Sequence, residues 1–574
     1  MLQQSSRAIA HMILLLIVSS SGLAQKRFTN VTDSAGINHQ FVVFEGMFGG
    51  GAVVLDVNND GWEDVYLTGG VADDALYLNN KNGTFKNIFQ TSGLTDTRNY
   101  VTQGAATADV NKDGWLDLFV TTITFRDTVK RIPRAENLLF LNNGNSTFRN
   151  VTQEFGLKDL ESFSTGVSFG DFDLDGFTDA YVGNYFFGYE GKLTYINDSD
   201  IVQSSQTAAP YLLKNVNGRK FIDVTKAYGL NYKGFGFGGA FTDYDRDNDL
   251  DIFVNHDFGY KATPNVFLEN EFPDASFIER SKNLHLDLKI NAMGTAIGDY
   301  DNNGLMDYYV TNIRFNRFMV NHGKNEPFTE EAKSSGMDFV SISWGANFAD
   351  FDHDRDVDLF VANGDLNPND VPLADYYFEN TNGTFREKAA FVGVNDYGIG
   401  RGSVVFDMDN DGDLDLLVVN QKAVLDYPVR TFTTLFRNDS THGNWLKVKL
   451  VGQQSDKNGI GALIEVSAEG VKMIREVDGG SSHLSQNSLI THFGLGSALK
   501  VDYVKVTWPG GKTQTLHDQL ANQLLVIEEK PGEEKNNFAL AIAVGILLVV
   551  LMILLMVRKG KKHKSSVSKN TVLK

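Results

Sequence analysis

The chain has 574 residues, a formal net charge of −20 and no cysteine. That length asks for more than one structural unit, and the acidity disfavours a nucleic-acid partner. Without cysteine there are no disulfides, no thiolate metal sites and no cysteine nucleophile.

Residues 1–24 read as a secretory signal peptide. Arg7 supplies a positive start, residues 12–18 a short apolar core, and Gly22-Leu23-Ala24 small residues for cleavage. At the other end, residues 538–557 form an unbroken apolar stretch, the length a helix needs to cross a bilayer. Glu528, Glu529, Glu533 and Glu534 precede it, and Arg558, Lys559, Lys561, Lys562 and Lys564 follow it. By the positive-inside rule residues 558–574 are a basic cytoplasmic tail and everything before residue 537 lies outside. The expected localisation is therefore the cell membrane, as a single-pass type I protein.

Between these ends a repeat runs through the chain. The pattern Asp-x-Asp/Asn-x-Asp/Asn-Gly-x-x-Asp occurs seven times with small departures, beginning at residues 56, 109, 171, 243, 299, 350 and 407. Ahead of each motif is a small, glycine-rich apolar run, and behind it a strand-like one such as Leu116 to Val120. A hairpin signature follows, as in LYLNNKNGTF (76–85) and LFLNNGNSTF (139–148). Units of this size with about four short strands each predict propeller blades. The seventh unit lacks its Phe-led outer strand, and an orphan copy, RFTNVTDSAGI, stands at residues 27–37. The N-terminal segment is therefore expected to complete the last blade and close the ring.

Positions 1, 3, 5 and 9 of the motif supply oxygen ligands. In chain order they are Asp56, Asn58, Asp60 and Asp64; Asp109, Asn111, Asp113 and Asp117; Asp171, Asp173, Asp175 and Asp179; Asp243, Asp245, Asp247 and Asp251; Asp299, Asp301, Asn303 and Asp307; Asp350, Asp352, Asp354 and Asp358; and Asp407, Asp409, Asp411 and Asp415. Alternate side chains on a tight loop converge on one point, and carboxylates packed this closely repel unless a cation joins them. Hard oxygen ligands in this number favour Ca2+ over magnesium, with up to seven ions in the chain. Position 6 is glycine except for Asn248 in the fourth loop and Arg355 in the sixth. Arginine takes a left-handed backbone reluctantly, so the sixth loop is expected to bind most weakly.

These units resemble FG-GAP/VCBS-type repeats, the calcium-binding propeller units of integrin α-chain heads. The resemblance implies an all-β fold, with a seven-bladed β-propeller over residues 25–441. Residues 442–530 are β-rich again, and their NGIGA, GGSSHLSQ, HFGLG and WPGG runs resemble the ASPIC/UnbV module of the cartilage acidic protein family. His483 and His492 lie near Ser482 and Ser485 there, yet no orienting third group or oxyanion site is visible, and they read as structural. No catalytic motif and no organic cofactor site stands out elsewhere. The expected function is a non-enzymatic adhesion or ligand-binding ectodomain whose partner is an extracellular protein or glycan. Two alternatives stay open: an extracellular enzyme with a site assembled across blades, and a scaffold presenting the ASPIC/UnbV module. An aromatic-rich connection with Tyr181, Tyr185, Phe186, Phe187, Tyr189 and Tyr195 is candidate binding surface, or else packs over a neighbouring blade.

Overall fold

In the computed structural model, residues 27–44, 49–126, 133–187, 206–366, 369–440 and 443–530 are described. Each aspartate loop is the tight connection between two antiparallel strands. In the first unit Ala52–Leu55 runs into the loop and Asp64–Leu67 leaves it, paired Leu55 with Asp64 and Ala52 with Leu67. Ala75–Asn79 and then Phe85–Asn87 complete a four-stranded meander. Strands this short suit the sequence: Val, Leu and Tyr on both faces of the inner pair are buried between neighbouring sheets, while Lys86 and Asn87 on the last strand face solvent.

Seven sheets share this order among the described residues; the sixth carries one additional strand, Ile313–Phe315. The all-β expectation holds, and the β-propeller reading is supported. The seventh sheet is completed from the other end of the chain. Phe28–Asn30 pairs with Thr434–Asn438, setting Phe28 opposite Asn438 and Asn30 opposite Phe436. Hydrophobic clusters lie between adjacent sheets; Val53, Tyr66 and Leu76 of the first pack against Leu118, Val120 and Phe140 of the second. Fully burying each such side chain contributes roughly 1.5–3 kcal/mol.

The C-terminal β module consists of two sheets. One has the order Thr491–Gly496, Asn444–Val451, Leu524–Glu528, with the last two strands parallel. The other has the order Val471–Glu476, Leu463–Ala468, Tyr503–Thr507, Thr513–His517. The module shares hydrophobic clusters with the ring: Ile460, Val477 and Phe493 join Phe119, Val167 and Phe169 in one, and Ile474 joins Phe253 and Tyr308 in another.

The signal peptide at 1–24, the apolar stretch at 538–557 and the tail at 558–574 lie outside the described residues. Among the described residues no helix is long and apolar enough to cross a membrane. Of the aromatic-rich connection, Tyr181, Tyr185 and Phe186 are buried and pack as core, whereas Phe187 is 60% exposed. Tyr189 and Tyr195 lie outside the described residues.

Candidate metal centres

All seven loops are built the same way. The position-1 aspartate holds the turn together: one carboxylate oxygen accepts the N–H of position 5 and the other the N–H of position 6. In the third loop Asp171 accepts from Asp175 at 3.1 Å and from Gly176 at 2.8 Å, and Asp350 does the same with Asp354 and Arg355. To make this turn, position 6 takes a left-handed backbone throughout, from Gly61 at φ 83° to Gly412 at φ 96°. Asn248 and Arg355 adopt it too, at φ 76° and 86°; a non-glycine residue pays roughly 1–2 kcal/mol for that. Arg355 is offset by a 2.7 Å ion pair to Glu469. Position 4 is also left-handed in every loop, although Asn59, Lys112, Leu174, Arg246, Asn302, His353 and Asn410 are none of them glycine.

The position-9 aspartate is fully buried in each loop. Asp179 accepts the backbone N–H of Asn215 at 2.7 Å and that of Phe172 at 3.3 Å. It thus anchors the loop to the third strand of its own sheet while keeping lone pairs for a ligand.

Carboxylate oxygens converge within 4.8 Å of one another in five loops. Positions 1, 3 and 9 meet in the third (Asp171, Asp173, Asp179), fourth (Asp243, Asp245, Asp251), fifth (Asp299, Asp301, Asp307) and seventh (Asp407, Asp409, Asp415). In the sixth, positions 1, 3 and 5 meet instead (Asp350, Asp352, Asp354). In the first two loops Asn58 and Asn111 hold position 3, and their amide oxygens accept the N–H of Asp60 and Asp113. These loops keep three aspartates each, at positions 1, 5 and 9.

The donor set fits a hard cation. One carboxylate oxygen each on Asp173, Asp352 and Asp409 is buried and meets no hydrogen-bond donor, which is costly for a charged acceptor unless something positive faces it. Burial and then neighbouring aspartates raise three of the position-1 carboxyls, Asp171 and Asp350 to about 8 and Asp243 to about 7. A bound cation would reverse that shift.

The third strands carry a set of residues that motif reading missed. Asn79, Asn142, Asn215, Asn270, Asn321, Asn380 and Asn438 each donate two side-chain N–H bonds. One goes to the position-8 carbonyl of the residue's own loop, the other to the position-2 carbonyl of the preceding sheet's loop. Asn215 reaches Thr178 at 3.1 Å and Val110 at 2.8 Å. Around the ring the cross-sheet partners are Met408, Val57, Val110, Phe172, Tyr244, Tyr300 and Phe351. The bond from Asn79 to Met408, in the seventh sheet, makes the circle complete. The only sequence signal was an asparagine before each hairpin turn, which reads as turn chemistry. Asn438 also begins an Asn-x-Ser sequon, yet it is fully buried in this role.

The C-terminal module sits on this loop end of the ring. Asn458 accepts the Asp109 N–H at 2.9 Å, the Gly510 N–H donates to the Asn248 carbonyl at 2.8 Å, and Lys447 Nζ lies 2.6 Å from Asp407. Its segment 478–488 enters the axis of the ring and caps the open edges of the innermost strands. Phe169 N–H donates to Gly479 O, Ala105 to Leu484 O, Ala52 to Ser485 Oγ, Thr107 to Gln486 Oε1 and Val405 to Asn487 Oδ1. His483 is wedged between Phe237 and Trp344, with Nδ1 2.8 Å from the Met293 carbonyl. Burial holds it neutral and lowers it to about 3. His492 is likewise buried, its Nε2 bound to Gly412 O. Both histidines are packing residues.

Comparison with known proteins agrees with this organisation. The family model described as FG-GAP-like repeat matches residues 56–120 and 350–418, and the one described as ASPIC and UnbV matches residues 452–534. Cartilage acidic protein 1 of Mus musculus is 24% identical over 502 residues, covering 75% of this chain and 74% of that protein. The Homo sapiens protein of the same name is 23% identical, covering 71% and 69%. Among solved structures, an Agrocybe aegerita lectin recognising non-reducing terminal N-acetylglucosamine matches with a TM-score of 0.29 and 15% identity, over 68% of this chain and 81% of that one. A likeness that low carries no functional argument. The chain carries FG-GAP-like repeats followed by an ASPIC and UnbV segment, and along most of its length it is similar to cartilage acidic protein 1.

Proposed function

We propose that this chain is a calcium-loaded, seven-bladed propeller that acts outside the cytoplasm as a non-enzymatic binding or adhesion module. The observation that carries this is the set of buried, donor-less carboxylate oxygens at position 3 on Asp173, Asp352 and Asp409, with burial raising the Asp171 and Asp350 carboxyls beside the first two far above the ordinary carboxylate range. Calcium supplies positive charge there; the chain's own residues set the turn, hold the carboxylates in register and tie each loop to the next through the asparagines. The organisation shared with cartilage acidic protein 1 supports an extracellular setting, and the apolar stretch at 538–557 supplies a membrane anchor.

The ligand, a protein or a glycan, is met at the end of the ring away from the calcium loops. Antiparallel strands send alternate connections to opposite ends, and the C-terminal module occupies the loop end. The free end displays Phe187, Tyr260, Phe315, Val371, Tyr397 and Leu425, all at least 40% exposed. Thermal unfolding of the full chain tests the calcium reading. Millimolar calcium raises the melting temperature relative to excess chelator, because the ion binds only the folded state. Superimposable curves would sink it.

A further inference from the structure

Between the C-terminal module and the ring lies a cavity of about 120 Å³. Its floor is made by the innermost strands of the fourth to seventh sheets, through Phe241, Ile297, Asn347 and Val405. Its roof is made by module residues from Arg475 to His492. The space is roughly ten times the least that one water needs, so it admits a compact molecule.

Four polar atoms on lining residues are buried and meet no partner within the protein: Arg475 Nη2, Glu476 Oε1, Asn347 Oδ1 and His492 Nδ1. Each of these side chains is held in place by another of its atoms. Arg475 Nη1 donates to the Ile474 carbonyl at 2.8 Å, and Glu476 Oε2 accepts the Thr242 hydroxyl at 3.0 Å. Asn347 Nδ2 donates to Ser403 Oγ at 2.7 Å. His492 donates its Nε2–H to the Gly412 carbonyl, which makes Nδ1 an acceptor. Unmatched buried polar atoms are destabilising, and a ligand that meets them removes the penalty.

The character of that ligand follows from which groups have atoms to spare. Asp350 and Asp478 also line the cavity, but all their oxygens already accept. Asp350 takes the N–H groups of Asp354 and Arg355, and Asp478 takes the Gly480 N–H and the Ser481 hydroxyl. That leaves Arg475 and Glu476, one charge of each sign on consecutive residues of one strand. A net charge on the ligand would oppose one of them. Hydroxyls suit the set, because each can accept from Arg475 and donate to Glu476, Asn347 or His492. The rest of the wall is apolar, with Phe241, Ile297, Phe348, Val405, Leu414 and Ile490. A rim of hydroxyls around an apolar C–H face is the surface of a pyranose ring.

We propose that this cavity binds a single neutral monosaccharide, with Arg475, Glu476, Asn347 and His492 holding its hydroxyls and Phe241 and Phe348 against its ring. The site lies at the opposite end of the ring from the ligand face proposed above. It requires neither that face nor the calcium reading.

Isothermal titration of the full chain with D-glucose, D-galactose and D-xylose tests it, with L-serine as a small zwitterion for contrast. At least one sugar binds at one site with a dissociation constant of about 1 mM or tighter, and L-serine does not bind. Ile297→Trp fills the cavity without altering any of the four polar groups, and it abolishes sugar binding while unfolding stays cooperative. Should that variant fold poorly, Glu476→Leu carries the test: it weakens binding about tenfold. Glu476→Gln, which keeps an oxygen in place, stays within about threefold of wild type. Three results would each overturn the site: no binding of any of the three sugars, binding of L-serine in their place, or sugar affinity unchanged in both Ile297→Trp and Glu476→Leu.

Discussion

In the ring one side chain does the same task in every sheet, whereas in segment 478–488 of the C-terminal module hydroxyls, carbonyls, an amide and an imidazole ring divide the task among them. Each of the seven asparagines ties a third strand to its own loop and to the preceding one, and the geometry repeats from Asn79 to Asn438. The axis cannot be filled that way, because a single segment meets several sheets at different angles. Ser482 offers a hydroxyl to Ala346, Leu484 a carbonyl to Ala105, Gln486 an amide to both polar groups of Thr107, and His483 a ring to Trp344. Lateral cohesion is thus distributed and redundant; axial cohesion is irregular and concentrated.

The comparison breaks most easily at the axis. Glycines of the innermost strands let the segment approach: a Cβ on Gly402 would stand 2.3 Å from Ser485 Oγ and 2.5 Å from the Gly50 carbonyl, and one on Gly51 would stand 2.2 Å from Leu484 O. Backbone atoms on both sides cannot move aside. Gly402→Val therefore destabilises by about 3 kcal/mol or more, measured by denaturant unfolding. A loss under about 1 kcal/mol would mean that the segment leaves the axis in solution.

The lateral lock gives a smaller effect. Asn215→Ala removes both donors and leaves the Val110 and Thr178 carbonyls buried and unpaired, which costs about 2–3 kcal/mol. Asn80→Ala, an exposed neighbour in another hairpin whose amide meets Thr84, costs under about 0.5 kcal/mol. Equal losses at the two positions would show that Asn215 acts only as a turn former.

This contrast also explains what could be read beforehand. The aspartate loops were legible because all their ligands lie within nine consecutive residues, and the closing strand because Phe28-Thr29-Asn30 copies Phe148-Arg149-Asn150. The asparagine lock was not, since Asn215 and Val110 are far apart in sequence and an asparagine ahead of a hairpin looks like ordinary turn chemistry. Nor was the axial segment: glycine and serine in GGSSHLSQNS read as a loop, and only the placement of several sheets around it gives each residue its partner. The glycine-rich runs ahead of the motifs read only as small apolar segments; that Gly51, Gly104 and Gly402 make room for that segment needed the fold. Leu174 and Lys112 take left-handed backbones that their side chains give no hint of.

The gentlest way to sharpen the comparison is pH, because the ring's loops and the buried histidines titrate in opposite senses. Burial and neighbouring carboxylates raise Asp64, Asp171 and Asp350 to about 8 and Asp243 to about 7, against about 3.9 in the unfolded chain. With chelator present these groups hold protons only when folded, so stability rises as pH falls from about 8.5 toward 6.5. His39 and His256, lowered to about 4, and His483, lowered to about 3, stay neutral in the fold. Unfolded histidine takes a proton near pH 6.5, so below that value the three histidines cancel most of the gain from the four carboxyls, which persists down to about pH 3.9. In chelator the melting temperature therefore rises steeply as pH falls from about 8.5 to 6.5 and much more shallowly below that. Calcium lifts the alkaline end by neutralising the loops and so flattens the steep part of the profile. A chelated protein whose melting temperature keeps rising to pH 8.5 would show that its loop carboxylates are not held together without the ion, and the contrast between self-repelling loops and a neutral, packed axis would fail.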